Sequence, residues 1–309
     1  MGYGRCEVSE TEIRHDLFVY ETDAALTAQV ERFVVAGLEA DETAMVVASA
    51  GKLRLLREAL GSTGELVTYT DSSEVYTRPE ATMATFDAVV RRSIEALDSG
   101  LRVYGELPLC RTQAEWNGWM AYEAAVNRAF ANRPVVVMCG YDSRVVPEEV
   151  IHQAWQSHRV VHSDVWQLSP DYVEPEEFVR NLAPVFEPLP GLRSLPIGDG
   201  RMHDHLADDL VAEALPAARA RDLLVAAREV FSNAELYGNG VRALRVGTVG
   251  DRYVCEVTDA GTGLDDPLAG YLPPPPLAPR GAGLWVARQL TSQLDLFSTP
   301  EGLTVRLWI

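Results

Sequence analysis

The first half of the chain alternates short, continuously apolar segments with longer segments whose apolar residues recur at helical spacing. Continuous apolar strands that alternate with helices are typical of a parallel sheet covered on both faces, so we predict an α/β fold here. The expected strands are Leu17–Tyr20, Ala44–Ala48, Leu66–Tyr69, Leu101–Gly105 and Pro134–Gly140, and the expected helices are Asp23–Leu38, 53–60, 79–97, Ala114–Phe130 and Pro147–His158.

The second half has a different pattern, with helices first and paired strands afterwards. Two expected helices, His205–Leu215 and Ala218–Tyr237, precede strands near Ala243–Thr248 and Arg252–Thr258, which the Gly250–Asp251 turn joins. A further helix over Leu284–Leu294 and two closing strands complete an α+β domain, with helices on one face of a mixed sheet.

A proline-rich, acidic stretch separates the two patterns and is typical of an inter-domain connector. We therefore divide the chain into an N-terminal tail (1–13), a first domain (14–165), a linker (166–198) and a second domain (199–309).

Composition and charge narrow the range of functions. The 309 residues are 47% hydrophobic and carry a formal net charge of −18, with Lys52 as the single lysine. Such an acidic chain is a poor partner for nucleic acid, and no apolar run is long enough to cross a membrane, so we expect a cytoplasmic protein. The four cysteines form no CxxC pair and lie near no histidine cluster in sequence, which favours scattered reduced thiols.

Two polar side chains stand out on the long helix of the second domain. Glu229 and Asn233 are four residues apart and share one face, whereas Leu224, Ala227 and Phe231 can form the buried stripe. A carboxylate and an amide that point together suit a divalent cation or a bound water that needs a base. A solvated helix face is the simpler alternative.

Two glycine-containing motifs follow. Asp259–Gly263 (DAGTG) comes directly after an apolar strand, where an aspartate can accept a hydrogen bond from the exocyclic amine of a purine. Gly281–Leu284 (GAGL) opens a helix, whose unpaired N–H groups and positive dipole favour phosphate. Each motif alone is weak evidence for a ligand site, since turns and helix starts often contain glycine. Together the motifs are stronger evidence, because their order and spacing are consistent with one site.

In these motifs, residues 200–309 resemble the histidine-kinase-like (GHKL, or Bergerat) ATPase superfamily, and within it the anti-sigma-factor serine kinases. The resemblance implies Mg²⁺ binding by Asn233, general-base catalysis by Glu229 and adenine recognition by Asp259. Tyr237 departs from the family pattern, since relatives often carry a histidine in that region. The resemblance also implies that the ATP molecule contacts Asn233, Gly261, Gly263, Arg280, Gly281, Gly283 and Leu284.

Residues 14–165 resemble the MEDS sensory domain, a KaiC/RecA-like α/β unit without its nucleotide loop. The residues that carry this resemblance are His15, Leu17–Tyr20, Gly105–Glu106, Trp116, Glu123, Asn127 and Cys139–Tyr141.

The sequence around Lys52 does not match the P-loop motif, because Val46 and Leu53 occupy the positions where the motif needs glycine and Ser or Thr. We therefore interpret Lys52 as a surface residue that begins a helix. A sensor site for a small molecule is a hypothesis, placed at the carboxyl ends of the strands. Its candidate residues are Glu106, Tyr104, Trp116 and Tyr141.

Together the resemblances imply a sensor-regulated anti-sigma factor that uses ATP and Mg²⁺. The expected partners are a sigma factor and a STAS-type anti-anti-sigma protein, which the kinase would phosphorylate on serine or threonine. Two further questions stay open: whether the sensor domain binds a small-molecule ligand, and whether the protein forms a homodimer. The alternatives are a catalytically weak or inactive nucleotide-binding scaffold and an orphan sensor kinase that acts on a separate phospho-acceptor protein.

Overall fold

The computed structural model describes residues 13–97, 99–162, 166–182, 186–198, 200–274 and 281–309. The chain divides into two compact units, Met1–Val179 and Arg180–Ile309. This boundary falls inside the segment that the sequence marks as a linker.

The first unit alternates strands and helices, with one 3₁₀ helix at Gly61–Leu66. Asp23 is a plausible N-cap by residue type, but it is the first residue of the first helix; Thr22 is the N-cap, because its side chain accepts a hydrogen bond from the Ala25 amide. The elements in chain order are β1 (Arg14–Tyr20), α1 (Asp23–Leu38), β2 (Thr43–Ala48), α2 (Ala50–Leu60), β3 (Val67–Asp71), α3 (Ser72–Val75), α4 (Pro79–Leu97), β4 (Leu101–Gly105), α5 (Gln113–Ala129), β5 (Val135–Asp142), α6 (Glu148–Ser157), β6 (Val160–His162), β7 (Trp166–Leu168) and α7 (Pro175–Leu182).

Seven strands of the described residues form one sheet in the order β3-β2-β4-β5-β1-β6-β7. The pairings are parallel except for β6 with β7, which is antiparallel. Central strands such as β4 are buried at every position, as expected for a sheet with helices on both faces. The carboxyl ends of β1, β2, β4 and β5 therefore lie at one edge of this sheet.

The second unit begins its regular structure with a two-residue strand and two helices. Its elements are β8 (Arg193–Ser194), α8 (Met202–Ala212), α9 (Ala217–Tyr237), β9 (Val241–Val249), β10 (Arg252–Asp259), α10 (Gly283–Leu290), β11 (Gln293–Thr299) and β12 (Gly302–Trp308). The strands form a sheet in the order β11-β12-β10-β9-β8.

Two expectations for the second unit were wrong. Its described strand pairs are all antiparallel, so the sheet is not mixed; short turns join β9 to β10 and β11 to β12. The last helix ends at Leu290 rather than Leu294, since the residues from Gln293 onward pair with β12. Leu223, Phe231 and Ala287 pack with the sheet in one apolar core, which fixes α9 and α10 over it.

Parts of the expected linker belong to the two sheets. Trp166–Leu168 pairs with β6, and Arg193–Ser194 pairs with β9. Proline-rich composition therefore marks where one sheet ends and the other begins, while short strands extend into the segment from both sides. No helix among the described residues is long and apolar enough to span a bilayer.

Candidate functional site

The start of α10 lies directly against the two polar side chains of α9. A methyl group built on Gly283 would lie 3.0 Å from the amide nitrogen of Asn233 and 3.1 Å from a carboxylate oxygen of Glu229. Gly283 is buried, whereas Glu229 and Asn233 are half-buried. Because Gly283 carries no side chain, the carboxylate, the amide and a helix N-terminus share one small region.

The Asp259 carboxylate is held in place at the end of β10. Its Oδ1 accepts hydrogen bonds from the Gly261 amide at 3.0 Å and the Leu303 amide at 2.8 Å. A side chain at Gly238, the residue after α9, would collide with the other oxygen, Oδ2. Glycine at 238 therefore gives this half-buried carboxylate its room, and Oδ1 is fixed by backbone groups.

The glycines of the two motifs have distinct structural reasons. Gly263 has a φ of +84°, and a methyl group there would lie 2.5 Å from the Ser298 hydroxyl oxygen. Gly281 has a φ of +97°, and among the described residues no atom lies within 4 Å of the position of an added methyl group.

The phosphate side of the candidate site is formed by backbone more than by side chains. The N-cap of α10, Ala282, offers no side-chain hydrogen bond, so the first N–H groups of this helix need an acceptor from elsewhere. Leu284 is half-buried, and its backbone lies close to Gly270, where a methyl group would be 2.8 Å away. Arg280, the expected basic contact, lies outside the described residues.

These residues together offer the groups that a magnesium nucleotide needs. Amide and carboxylate oxygens suit Mg²⁺, the helix N-terminus suits phosphate, and a strand-end carboxylate suits a purine amine. That Asn233 binds metal, that Glu229 is the base and that Asp259 recognises adenine stay predictions.

At the carboxyl edge of the first sheet, Glu106 lies in a dense polar cluster. Its Oε1 accepts hydrogen bonds from the Tyr20 hydroxyl at 2.9 Å and the Tyr104 hydroxyl at 2.5 Å. Its Oε2 accepts from the Lys52 ammonium at 2.6 Å, and the same ammonium lies 3.3 Å from the Asp142 carboxylate. The interpretation of Lys52 as a plain surface residue was wrong, because its side chain is only 22% exposed and pairs with two carboxylates.

The charged groups of this cluster shift the pKa values of Asp142, Tyr20 and Tyr104. Hydrogen bonds from Arg144 and, to a smaller extent, the charge of Lys52 lower the pKa of Asp142 to about 2 against the opposing effect of burial. Burial and the neighbouring Glu106 carboxylate raise the pKa values of Tyr20 and Tyr104 above 10, so both phenols stay protonated and donate.

The other two sensor candidates do not join Glu106 in its hydrogen bonds. Trp116 is a buried residue of α5, 4% exposed, and the Tyr141 hydroxyl donates to Glu123 at 3.4 Å. The structure thus brings Glu106 and Tyr104 together and places Tyr141 beside a second polar cluster. Whether a small molecule binds at either place stays a prediction.

Sequence reasoning missed this second cluster, which consists of His15, Glu123, Cys139 and His158, all buried. Its members come from β1, α5, β5 and the end of α6, so no short motif links them. Two signals were available: polar residues such as His15 and Cys139 interrupt strands that are otherwise apolar, and His15, Glu123 and Cys139 are among the residues that carry the MEDS resemblance.

Comparison with known protein families agrees with the two-unit structure. Residues 14–159 match the family described as the MEthanogen/methylotroph, DcmR Sensory domain (MEDS), and residues 202–309 match the family described as the Histidine kinase-like ATPase domain. A search of curated proteins found no match. The resemblances to the MEDS domain and to the histidine-kinase-like ATPase superfamily are thereby confirmed. The chain consists of an N-terminal MEDS domain followed by a C-terminal histidine-kinase-like ATPase domain.

Proposed function

We propose that this protein is a cytoplasmic partner-switching regulator. Its ATPase domain binds ATP with Mg²⁺, sequesters a sigma factor and phosphorylates a serine or threonine of a STAS-type anti-anti-sigma protein. The MEDS domain tunes this choice in response to a signal. The observation that carries the proposal is the position of Glu229 and Asn233, both about 3 Å from where a side chain on Gly283 would begin, at the start of α10 in a domain of the histidine-kinase-like family.

The residues present fit a magnesium nucleotide. Gly283 leaves the space that a side chain would fill in front of Glu229 and Asn233, and Gly238 does the same for Asp259. Asn233 would hold the metal ion through its amide oxygen, and Asp259 would bind the adenine amine. When bound, Mg²⁺ neutralises phosphate charge. The N–H groups at the start of α10 would orient the phosphates, because their dipole is positive there.

Glu229 is the proposed general base. It lies one helical turn before Asn233 on the same face of α9, so a hydroxyl placed near the phosphates is within its reach. A half-buried carboxylate can accept the proton of a serine or threonine hydroxyl while remaining accessible to a protein substrate.

The proposal is tested by incubating the protein with Mg²⁺, radiolabelled ATP and STAS-domain proteins encoded in the same genome. We expect acid-stable phosphate on one of these substrates, and loss of the transfer in Glu229→Gln while ATP binding persists. Equal transfer by wild type and Glu229→Gln would exclude Glu229 as the base. Absence of transfer to every STAS protein would contradict the kinase function.

A second candidate is a nucleotide-binding scaffold without efficient transfer. Tyr237, in the region where relatives carry a histidine, is 63% exposed, and the ATPase domain has no lysine to contact phosphates. ATP binding without phosphate transfer would favour this candidate. Acid-labile phosphate on a partner would instead favour a sensor kinase that acts on a separate phospho-acceptor.

For the first domain, the KaiC/RecA-like relationship is also our proposal, supported by the mostly parallel sheet flanked by helices. Its sensory ligand would bind at the carboxyl edge of the sheet near Glu106 and Tyr104, where ligands of open α/β sheets bind. Such a ligand has to exchange with Lys52, which already occupies one oxygen of Glu106.

A further inference from the structure

The second polar cluster of the MEDS domain brings four potential metal ligands to one point. His15, Glu123, Cys139 and His158 are each at most 7% exposed, and one ligand atom from each lies within 4.8 Å of all the others. The cluster lies outside the candidate nucleotide site and is not part of the hydrogen-bonding cluster around Glu106.

The separations of these atoms are close to those in a tetrahedral metal site. The Nε2 atom of His15 lies 3.0 Å from Oε2 of Glu123 and 3.2 Å from Sγ of Cys139. The same carboxylate oxygen lies 3.3 Å from the sulfur and 3.5 Å from Nε2 of His158. Ligands of a tetrahedral zinc ion, at bond lengths of about 2.0–2.3 Å, are about 3.3–3.7 Å apart. The remaining separations are at most 4.8 Å, so shifts of up to about one ångström would accommodate an ion.

Hydrogen bonds fix the tautomer of each histidine. Nδ1 of His158 lies 2.8 Å from the Ala154 carbonyl oxygen, which only accepts, so Nδ1 carries the proton and Nε2 is left with a lone pair. Asn127 donates its amide N–H to the Ser157 carbonyl at 2.8 Å, so its Oδ1 must be the atom that accepts from Nδ1 of His15 at 3.1 Å. Both imidazoles consequently present an unprotonated Nε2 to the cluster.

These outward hydrogen bonds are the contacts that orient metal-binding histidines and carboxylates in known sites. The carboxylate follows the same rule, because Oε1 of Glu123 accepts from Tyr141 at 3.4 Å and Oε2 faces the cluster. Each of these three side chains therefore uses one polar atom for support and leaves another for the centre.

The centre has fewer hydrogen-bond donors than acceptors. With both imidazoles neutral and both Nδ1 atoms donating outward, the Cys139 thiol is the single donor for two imidazole lone pairs and a carboxylate. Nε2 of His158 is buried and has no hydrogen-bond partner among the described residues. A divalent cation would satisfy all four atoms, and its charge would be balanced by one thiolate and one carboxylate.

We propose that the MEDS domain binds a divalent transition-metal ion of the zinc class through His15, Glu123, Cys139 and His158. Two nitrogens, one sulfur and one oxygen are too soft a donor set for Mg²⁺ or Ca²⁺ and suit Zn²⁺ or Co²⁺. A cavity of about 200 Å³ reaches the cluster at His15, and both carboxylates (Glu174, Glu176) and guanidinium groups (Arg14, Arg128, Arg159) line it.

The test uses the full-length protein, stripped of metal with a chelator and titrated with Co²⁺ in the absence of nucleotide. We expect one equivalent to give the intense visible bands of tetrahedral Co²⁺ and a thiolate-to-cobalt charge-transfer band, both displaced by Zn²⁺. Cys139→Ser should lose the charge-transfer band, whereas Cys110→Ser and Cys255→Ser should keep it. Asn127→Ala, which removes the support of His15, should weaken Co²⁺ binding by about 10–100-fold.

Zinc should also raise the thermal unfolding midpoint of the metal-free wild-type protein. This measurement tests the site without the Cys139→Ser variant, and is therefore usable even if that variant folds poorly. Absence of both the charge-transfer band and the stabilisation by Zn²⁺ in the wild type would overturn the proposal. Persistence of the band in Cys139→Ser would overturn it as well, since the thiolate ligand would then be another cysteine.

Discussion

The two domains use polar residues in opposite ways. In the ATPase domain, Glu229, Asn233 and Asp259 are half-buried, and glycines keep the space in front of them clear. In the MEDS domain, Glu106 and Glu123 are buried and surrounded by side chains that already contact them. Open space with backbone donors suits a large external ligand, whereas a dense buried cluster suits an atom-sized ion or has a structural role.

This difference also indicates which substitutions affect binding and which affect stability. Side chains that face open space contribute little to the folded state until a ligand binds. Side chains that share buried hydrogen bonds stabilise the domain, because removal of one partner leaves the other desolvated and unsatisfied. Substitutions in the two domains should therefore separate function from folding.

The largest effect is expected for Asn233→Ala in the ATPase domain. Loss of a preorganised charge-stabilising group typically lowers a rate by about 10²–10³-fold, and we expect that loss in phosphate transfer to a STAS substrate. The free energy of unfolding should change little. The matched control is Ser232→Ala, since Ser232 is the exposed neighbour on α9. A rate within a few-fold of wild type for Asn233→Ala would contradict the assigned role.

Next in size is Lys52→Met in the MEDS domain, which leaves Glu106 buried without its ion-pair partner. We expect a loss of about 2 kcal/mol in the free energy of unfolding, less than for a fully buried pair because Lys52 is partly exposed. Urea denaturation followed by tryptophan fluorescence measures it. Arg54→Met, at an exposed position on the same helix, is the control and should be nearly neutral. Equal stability of the two variants would mean that the pair is only a surface contact.

A smaller effect is expected for Gly283→Ala. The added methyl group would lie about 3 Å from Asn233 and Glu229, so both side chains must move. We expect overpacking of about 1.4 kcal/mol, or a tenfold loss of Mg-ATP affinity, measured by calorimetric titration. Gly51→Ala serves as the control, because nothing lies within 4 Å of the added group there. Unchanged affinity in Gly283→Ala would place the nucleotide elsewhere.

The smallest effect concerns pH. The folded-state pKa of Asp142 is about 2, below its ordinary value near 3.8, chiefly because Arg144 donates hydrogen bonds to it. A lowered pKa contributes stability that is present above pH 4 and is lost as the pH falls towards 2. Asp142→Asn should cost about 1 kcal/mol at pH 6, since Arg144 is exposed, and only a small part of that at pH 2, where about half of the folded molecules have this carboxyl group protonated. A deficit that is the same at both pH values would contradict this linkage.

The order of elements was largely predictable, because each strand and helix of the first domain has its own periodic apolar pattern. The helix ends were less predictable. Thr22 and Asp23 are both good N-cap residues, and only the hydrogen bond from the Ala25 amide to the Thr22 hydroxyl decides between them. The nucleotide site was predictable because its residues occur in short motifs. The contacts of Lys52 and His158 were not predictable, because their partners are more than 30 residues away in the sequence and the sheet brings them together.

The central claim, that the ATPase domain binds a nucleotide through Asp259 and the start of α10, is tested most directly by calorimetric titration of the full-length protein with Mg-ATP. We predict binding of one equivalent by the wild type and by Asp251→Asn, at an exposed turn, and loss of binding in Asp259→Asn. Absence of binding by the wild type, or undiminished binding by Asp259→Asn, would contradict the account.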